Sequence, residues 1–203
     1  LPFPRGGAGA VALAVGDVTG HGVDAALFMA SARSLLRSAA HRHRRLTVQV
    51  REANRQLAHD MRETGRFLTL FLAALEPGIG RLRYVRAGQE AAMLYDPATD
   101  HCRDLDDGGP PLGVDADQEY EVQHLSNMTP GMVLCIATDG LFEARNAEGE
   151  MFGRRRLANV LRRSAGDGAE GILEELFADL TEFTGGPNLE DDVTVVLAKL
   201  VED

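Results

Sequence analysis

The order of local patterns along the chain predicts an α+β fold, mainly antiparallel, with helices packed on sheet faces. Three observations predict it. A short apolar run at residues 11–16 is followed by two helical patterns. A block of strands joined by hairpin-length turns fills the middle of the chain. Two further helical patterns and a last strand complete it, so strands and helices segregate instead of alternating as βαβ units. At 203 residues the chain suits one domain, and a chain of this size hides roughly 70% of its unfolded surface. Residues 1–203 are expected to be a single domain. The opening Leu1-Pro2-Phe3-Pro4, without a Met, reads as the start of a domain excised from a longer multidomain protein.

Each element has a local reason. Val11-Ala12-Leu13-Ala14-Val15-Gly16 is apolar, as in a buried strand. Residues 16–22 form a Gly-rich turn. From Val23 to about Ala40, Phe28, Ala32, Leu35 and Ala39 recur at helical spacing. The cations of 41–45 suit a helix C-terminus or a docking patch. Thr47 is placed to N-cap a second helix, whose stripe is Val50, Ala53, Leu57 and Met61 and which fades at Thr64-Gly65. Strands are predicted at 67–75, 81–87, 91–95 and 101–105, with turn chemistry at Glu76-Pro77-Gly78 and Asp96-Pro97. A Gly/Pro loop spans 106–113. Alternation predicts a strand over 119–125, and an apolar run another at 132–137. Helices are predicted at 154–164 and 169–183, and a final strand at 193–201.

Composition narrows the function. The net charge is −10, which argues against non-specific nucleic-acid binding, a process that depends on Lys and Arg neutralising phosphates. It also argues against docking on anionic membrane. No run reaches the ~18 apolar residues of a membrane span, and no signal-peptide pattern is present. Cys102 and Cys135 are the only cysteines. They read as two buried thiols in a reducing cytosol, not as a disulfide framework or a metal pair, so a cytoplasmic location is expected.

Three acidic positions share one context. Asp17 follows the first apolar run, Asp139 follows 132–138, and Asp191-Asp192 precede the last strand. Strand ends are rigid platforms that can converge at a sheet edge. Convergent carboxylates repel, and a divalent cation reconciles them; oxygen-only ligands favour Mg²⁺ or Mn²⁺ over Zn²⁺. Singly, each Asp also fits a turn or cap. In Gly16-Asp17-Val18-Thr19-Gly20-His21-Gly22 the glycines permit close backbone approach, and a helix start beside them suits an anion. A phosphate-bearing substrate on a two-metal centre follows. His21 is read as a structural hydrogen-bonding residue or a proton donor.

These segments resemble the SpoIIE/RsbU-type serine phosphatases, the bacterial branch of the metal-dependent PP2C-like protein phosphatases. The resemblance runs through Gly16–Gly22 with Val23-Asp24-Ala25-Ala26-Leu27-Phe28-Met29, Phe67-Leu68-Thr69-Leu70, Gly109-Pro110-Pro111-Leu112-Gly113, Pro130-Gly131-Met132-Val133-Leu134 to Thr138-Asp139-Gly140-Leu141-Phe142-Glu143-Ala144, Phe152-Gly153 and Asp191-Asp192-Val193-Thr194. It implies a PP2C-like αββα sandwich: two mostly antiparallel sheets flanked by helix pairs. It implies a metal-dependent protein serine/threonine phosphatase in which Asp17, Asp139 and Asp191 are the catalytic residues. Asp17 would bridge two Mg²⁺ or Mn²⁺ ions, Val18 would offer its carbonyl, and Asp139 and Asp191 would hold the second ion, with Asp192 the lesser candidate. The implied substrate is a phosphorylated anti-anti-sigma (STAS-type) protein in a partner-switching pathway. An upstream sensory domain is also implied, with homodimerisation open.

The chain departs from that pattern twice. Gly6-Gly7 is followed by Ala8 where members carry an acidic residue, so the extreme N-terminal motif is expected to be missing and the fragment to bind zero or one ion. Gln89 stands where members often have His. Two other readings stay open: a non-catalytic PP2C-like module that binds a STAS or kinase partner, and an enzyme acting on small phosphate esters.

Overall fold

The structure is a computed structural model that describes residues 10–187 and 189–202. The Gly6-Gly7-Ala8 departure lies outside the described residues. In chain order the elements are β1 (Val11–Val18), α1 (Val23–Arg42), α2 (Leu46–Met61), β2 (Leu68–Glu76), β3 (Arg81–Ala87), β4 (Ala92–Asp96), β5 (His101–Leu105), β6 (Gln123–Ser126), β7 (Val133–Ala137), α3 (Asp139–Glu143), α4 (Gly153–Arg163), α5 (Ala169–Thr184) and β8 (Val195–Lys199). A 3-10 turn, Pro77–Ile79, joins β2 to β3. No helix among the described residues is long and apolar enough to cross a membrane. The chain divides into two compact units. One takes the described residues up to Gln89 together with Asp107–Met128; the other takes Glu90–Asp106 and the residues from Thr129 onward.

The first unit carries an antiparallel sheet of order β1-β2-β3-β6. Side chains two apart on a strand share a face, and Leu68, Leu70, Leu72 and Ala74 of β2 form one such row. They belong to a core with Ala25 and Ala32 of α1 and Val50, Leu57 and Met61 of α2. The stripe read from the sequence of α2 is therefore its buried face. Thr47 does not cap it. Leu46 is buried, which winds the helix start back to Arg45, whose carbonyl accepts from the Val48 and Gln49 N–H groups. The basic run at the end of α1 pairs locally: Arg42 and His43 both contact the Glu52 carboxylate.

In this unit β1 and β6 depart most from expectation. β1 runs on to Val18, so Asp17 lies within the strand and not after it. Of the alternating run at 119–125, only the last three residues join β6. Tyr120 instead enters the core, and its hydroxyl reaches the Pro110 and Pro111 carbonyls at 3.1 and 3.3 Å. Packing and those two bonds replace ladder pairing there.

The second unit carries an antiparallel sheet of order β5-β4-β7-β8. β7 is buried along its whole length. Its core joins Met93, Cys135 and Ala137 to Leu157, Leu161, Ile172 and Leu176 of α4 and α5. Arg154 ties α4 to the sheet through Asp104 Oδ1 at 2.6 Å and the Ala91 carbonyl at 2.8 Å, with its guanidinium over the Phe142 ring. Lys199, the sole lysine of the chain, donates to the Ala165 and Asp167 carbonyls just beyond α4. The last strand starts at Val195, two residues later than expected. Cys135 is buried as expected and Cys102 is half-buried; both are free thiols.

Candidate active site

The second unit delivers Asp139 beside Asp191 and Asp192. β7 ends at Ala137, and Thr138 turns the chain into α3, of which Asp139 is the first residue. Thr138 clasps the segment before β8. Its N–H donates to the Thr194 carbonyl at 3.0 Å, its hydroxyl accepts from the Thr194 N–H at 3.0 Å, and that hydroxyl donates to the Asp192 carbonyl at 3.3 Å. Gly140 permits this closeness: a Cβ there would sit 2.4 Å from the Asp192 carbonyl oxygen. Each carboxylate is steadied locally. Asp139 Oδ1 accepts from the Gly140 N–H at 3.0 Å, and Asp191 Oδ1 from the Asp192 N–H at 2.8 Å. All three residues are solvent-exposed.

The first unit delivers Asp17 and Val18 at the end of β1. Their register partners are Thr69 and Leu68. The Val18 side chain is buried in the core while Asp17 is exposed, as strand alternation requires. Thr19 repeats the clasp seen at Thr138. Its hydroxyl donates to the Phe67 carbonyl at 3.3 Å and accepts from the Phe67 N–H at 3.0 Å. Gly20 and Gly22 adopt positive φ, at 88° and 85°. Arg66 Nη1 lies against Gly20 and donates to the Thr19 carbonyl at 2.7 Å, so a side chain at Gly20 would collide with the guanidinium. α1 then begins without a side-chain cap, and first-turn N–H groups with the positive helix end suit an anion. His21 is exposed and has no hydrogen-bond partner among the described residues, so the structural bonding role expected for it is not seen.

Among the described residues no three His, Cys, Asp or Glu side chains form a ready-made ligand cluster. The donor set in each unit is nonetheless all oxygen: one carboxylate and a strand carbonyl in the first, paired Asp positions in the second. That chemistry fits a hard divalent cation. Sequence reasoning missed the threonines that hold these positions; the local signal was a Thr two residues after Asp17 and one before Asp139. It also missed Arg66, which lines a groove of about 910 Å³ in the first unit with Arg55, His59, Arg62, Val114 and Asp115.

The fold is that of the PP2C-like phosphatases. The chain superposes on the SiaA PP2C domain of Pseudomonas aeruginosa with a TM-score of 0.83 over 96% of this chain and 78% of that one, at 24% identity. It superposes on RsbX in complex with magnesium with a TM-score of 0.71, over 98% and 85%, at 18% identity. Residues 7–201 match the Stage II sporulation protein E (SpoIIE) family, and the chain belongs to that family. In sequence it is 28% identical to Protein IcfG of Synechocystis, over 92% of this chain and 33% of that protein. It is 23% identical to Phosphoserine phosphatase RsbU of Bacillus subtilis, over 92% and 55%. The chain thus spans about a third and about half of the lengths of these two relatives.

Proposed function

We propose that residues 1–203 act as one metal-dependent protein serine/threonine phosphatase domain, which hydrolyses phosphoserine or phosphothreonine on a regulatory protein of the STAS anti-anti-sigma type. The observation that carries this reading is the Thr138 clasp, which sets Asp139 against Asp191-Asp192, in a chain of the SpoIIE family. The phosphoserine phosphatase RsbU supports the reaction class, and RsbX with magnesium supports the choice of cation.

Asp17 with the Val18 carbonyl, and Asp139 with Asp191, are the residues that would hold Mg²⁺ or Mn²⁺. When bound, divalent ions supply charge neutralisation and a water of lowered pKa for in-line attack on the phosphoryl group. The chain's own residues do the rest. Thr138 and Thr19 fix the carboxylate-bearing backbone before substrate arrives, so little reorganisation is needed during reaction. The turn at 19–22 and the open start of α1 face a phosphate dianion with N–H donors. Arg66, anchored on Thr19, adds a cation at the same turn.

The test is turnover of a phosphoserine-bearing protein before and after exhaustive chelation. We expect phosphate release to stop without metal and return with Mn²⁺ or Mg²⁺. Activity undiminished by chelation would sink the metal mechanism. Binding of that phosphoprotein without turnover under any metal would establish the binding-module reading instead, and turnover of small esters alone would exclude a protein substrate.

A further inference from the structure

We propose that the groove between α2 and the 113–117 loop takes an acidic segment of the phosphoprotein, adjacent in sequence to its phosphoserine, and so sets substrate choice; the proposal rests on the phosphatase reading of the turn after Asp17. One wall is the exposed side of α2. Arg55, His59 and Arg62 stand there at helical spacing and share a face. Arg66 lines the same groove and donates to the Thr19 carbonyl at 2.7 Å. The groove therefore reaches the turn that follows Asp17. Buried Met61 and half-buried Phe67 add apolar lining.

A buried amide joins the two walls. Asn54 of α2 is 0% exposed; its Nδ2 donates to the Asp115 carbonyl at 2.7 Å, and its Oδ1 accepts from the Gly113 N–H at 2.9 Å. The groove is thus held open at a fixed width before any ligand arrives. Its charges do not cancel in pairs. Asp115 and Asp117 are the acidic groups on the loop wall, and Asp115 Oδ1 accepts from the Asp117 N–H at 3.0 Å. Neither pairs with Arg55 or Arg62, whose guanidinium groups have no partner among the described residues. Free guanidinium groups bind carboxylates through two parallel N–H donors, and clusters of them recognise acidic and phosphorylated motifs. The spacing agrees with an extended peptide. Seven residues separate Arg55 from Arg62, about 10 Å of helical rise, and three extended residues span about 10 Å. An acidic side chain at each end of such a stretch meets one arginine.

The experiment is fluorescence anisotropy with labelled phosphoserine peptides, run without metal so that none is hydrolysed. One peptide carries a run of Asp on the N-terminal side of the phosphoserine, a second carries it on the C-terminal side, and a third has Ala throughout. We expect one acidic peptide to bind about 5-fold more tightly than the alanine peptide. Arg55→Glu combined with Arg62→Glu should abolish that preference. Asp117→Asn removes a facing negative charge and should tighten acidic binding about 2-fold. Arg33→Glu, exposed on α1 and outside the groove, should change nothing. Far-UV circular dichroism checks the fold. Equal binding of acidic and alanine peptides by the unmodified chain overturns the proposal. So does a preference that survives the double reversal, or one that Arg33→Glu removes as well. If the double reversal fails to fold, Arg55→Gln decides: an unchanged acidic preference there overturns the proposal. Phosphate release from the same peptides with Mn²⁺ is read separately. No release beside an intact acidic preference would remove the phosphatase reading and uphold the groove as a site for acidic segments.

Discussion

Thr138 and Thr194 hold each other at two points: the Thr138 N–H donates to the Thr194 carbonyl, and the Thr194 N–H donates to the Thr138 hydroxyl, both at 3.0 Å. The bonds join residues on either side of the second pair of acidic positions. Thr19 and Phe67 repeat the arrangement in the first unit, where Thr19 N–H meets the Phe67 carbonyl at 3.0 Å and the Phe67 N–H meets the Thr19 hydroxyl at 3.0 Å. In both places a threonine hydroxyl accepts a backbone N–H from the facing segment just where the chain leaves a strand, one or two residues from a candidate carboxylate.

Removing that hydroxyl tests the arrangement. Thr138→Val keeps the shape but leaves the Thr194 N–H without its acceptor. An unmade bond of this kind costs about 1–3 kcal/mol, and partial exposure at Thr194 places the expected loss near the lower end. Urea unfolding measures it, and a Mn²⁺ titration of the same variant should show weaker binding.

Gly140→Ala is expected to harm the site more than its size suggests. The added Cβ would meet the Asp192 carbonyl oxygen at 2.4 Å, and both partners are backbone, so α3 or the 191–192 segment must move. Overpacking of this sort costs about 1–3 kcal/mol. Turnover of a phosphoserine substrate should fall by more than 10-fold while circular dichroism stays native.

The fold was largely legible in the sequence where periodicity is long or turn chemistry is strong. β3 and β5 match their predicted spans residue for residue, and the Val50, Ala53, Leu57, Met61 stripe is the buried face of α2. α3 was not legible, because five residues make little more than one turn and show no period. Residues 119–122 alternate like a strand, but Tyr120 is claimed by the core. The candidate carboxylates were picked out beside apolar runs; Asp17 lies inside β1, Asp139 opens α3 just after β7, and Asp191 stands four residues before β8. The bonds that hold those segments could not be read: those of Thr19 and Thr138 reach residues 48 and 56 positions away, and such separations leave no local pattern.

Acid should weaken the β2–β3 hairpin through Glu76. The Arg81 hydrogen bond, and then that of Arg83, hold its carboxyl below the usual 4.5 against the opposing push of burial. A lowered folded pKa gives stability that is full above the unfolded value and is lost as pH falls through the folded one. Glu76→Gln is therefore expected to cost about 1 kcal/mol at pH 7 and progressively less as the pH drops below 4.5. Urea unfolding at pH 7 and pH 3 measures the difference.

The two thiols should react in a fixed order. Burial pushes Cys135 up to about 12 and raises half-buried Cys102 less. Thiolate is the reactive form. Iodoacetamide at pH 8 should modify Cys102 first, slowly, and leave Cys135 intact in the folded protein; peptide mapping after timed quenching reads the order.

The central claim is that Asp17 is a metal ligand for phosphoester hydrolysis and not a strand residue with an exposed carboxylate. The most direct measurement is Asp17→Asn, with Mn²⁺ affinity by calorimetry and turnover of a phosphoserine-bearing protein taken on one preparation. The substitution keeps the β1–β2 backbone pairing of Asp17 with Thr69 and removes one negative charge. The account predicts a native circular dichroism spectrum, Mn²⁺ binding weakened at least 10-fold and turnover nearly abolished. Near-normal turnover with unchanged Mn²⁺ affinity would contradict it.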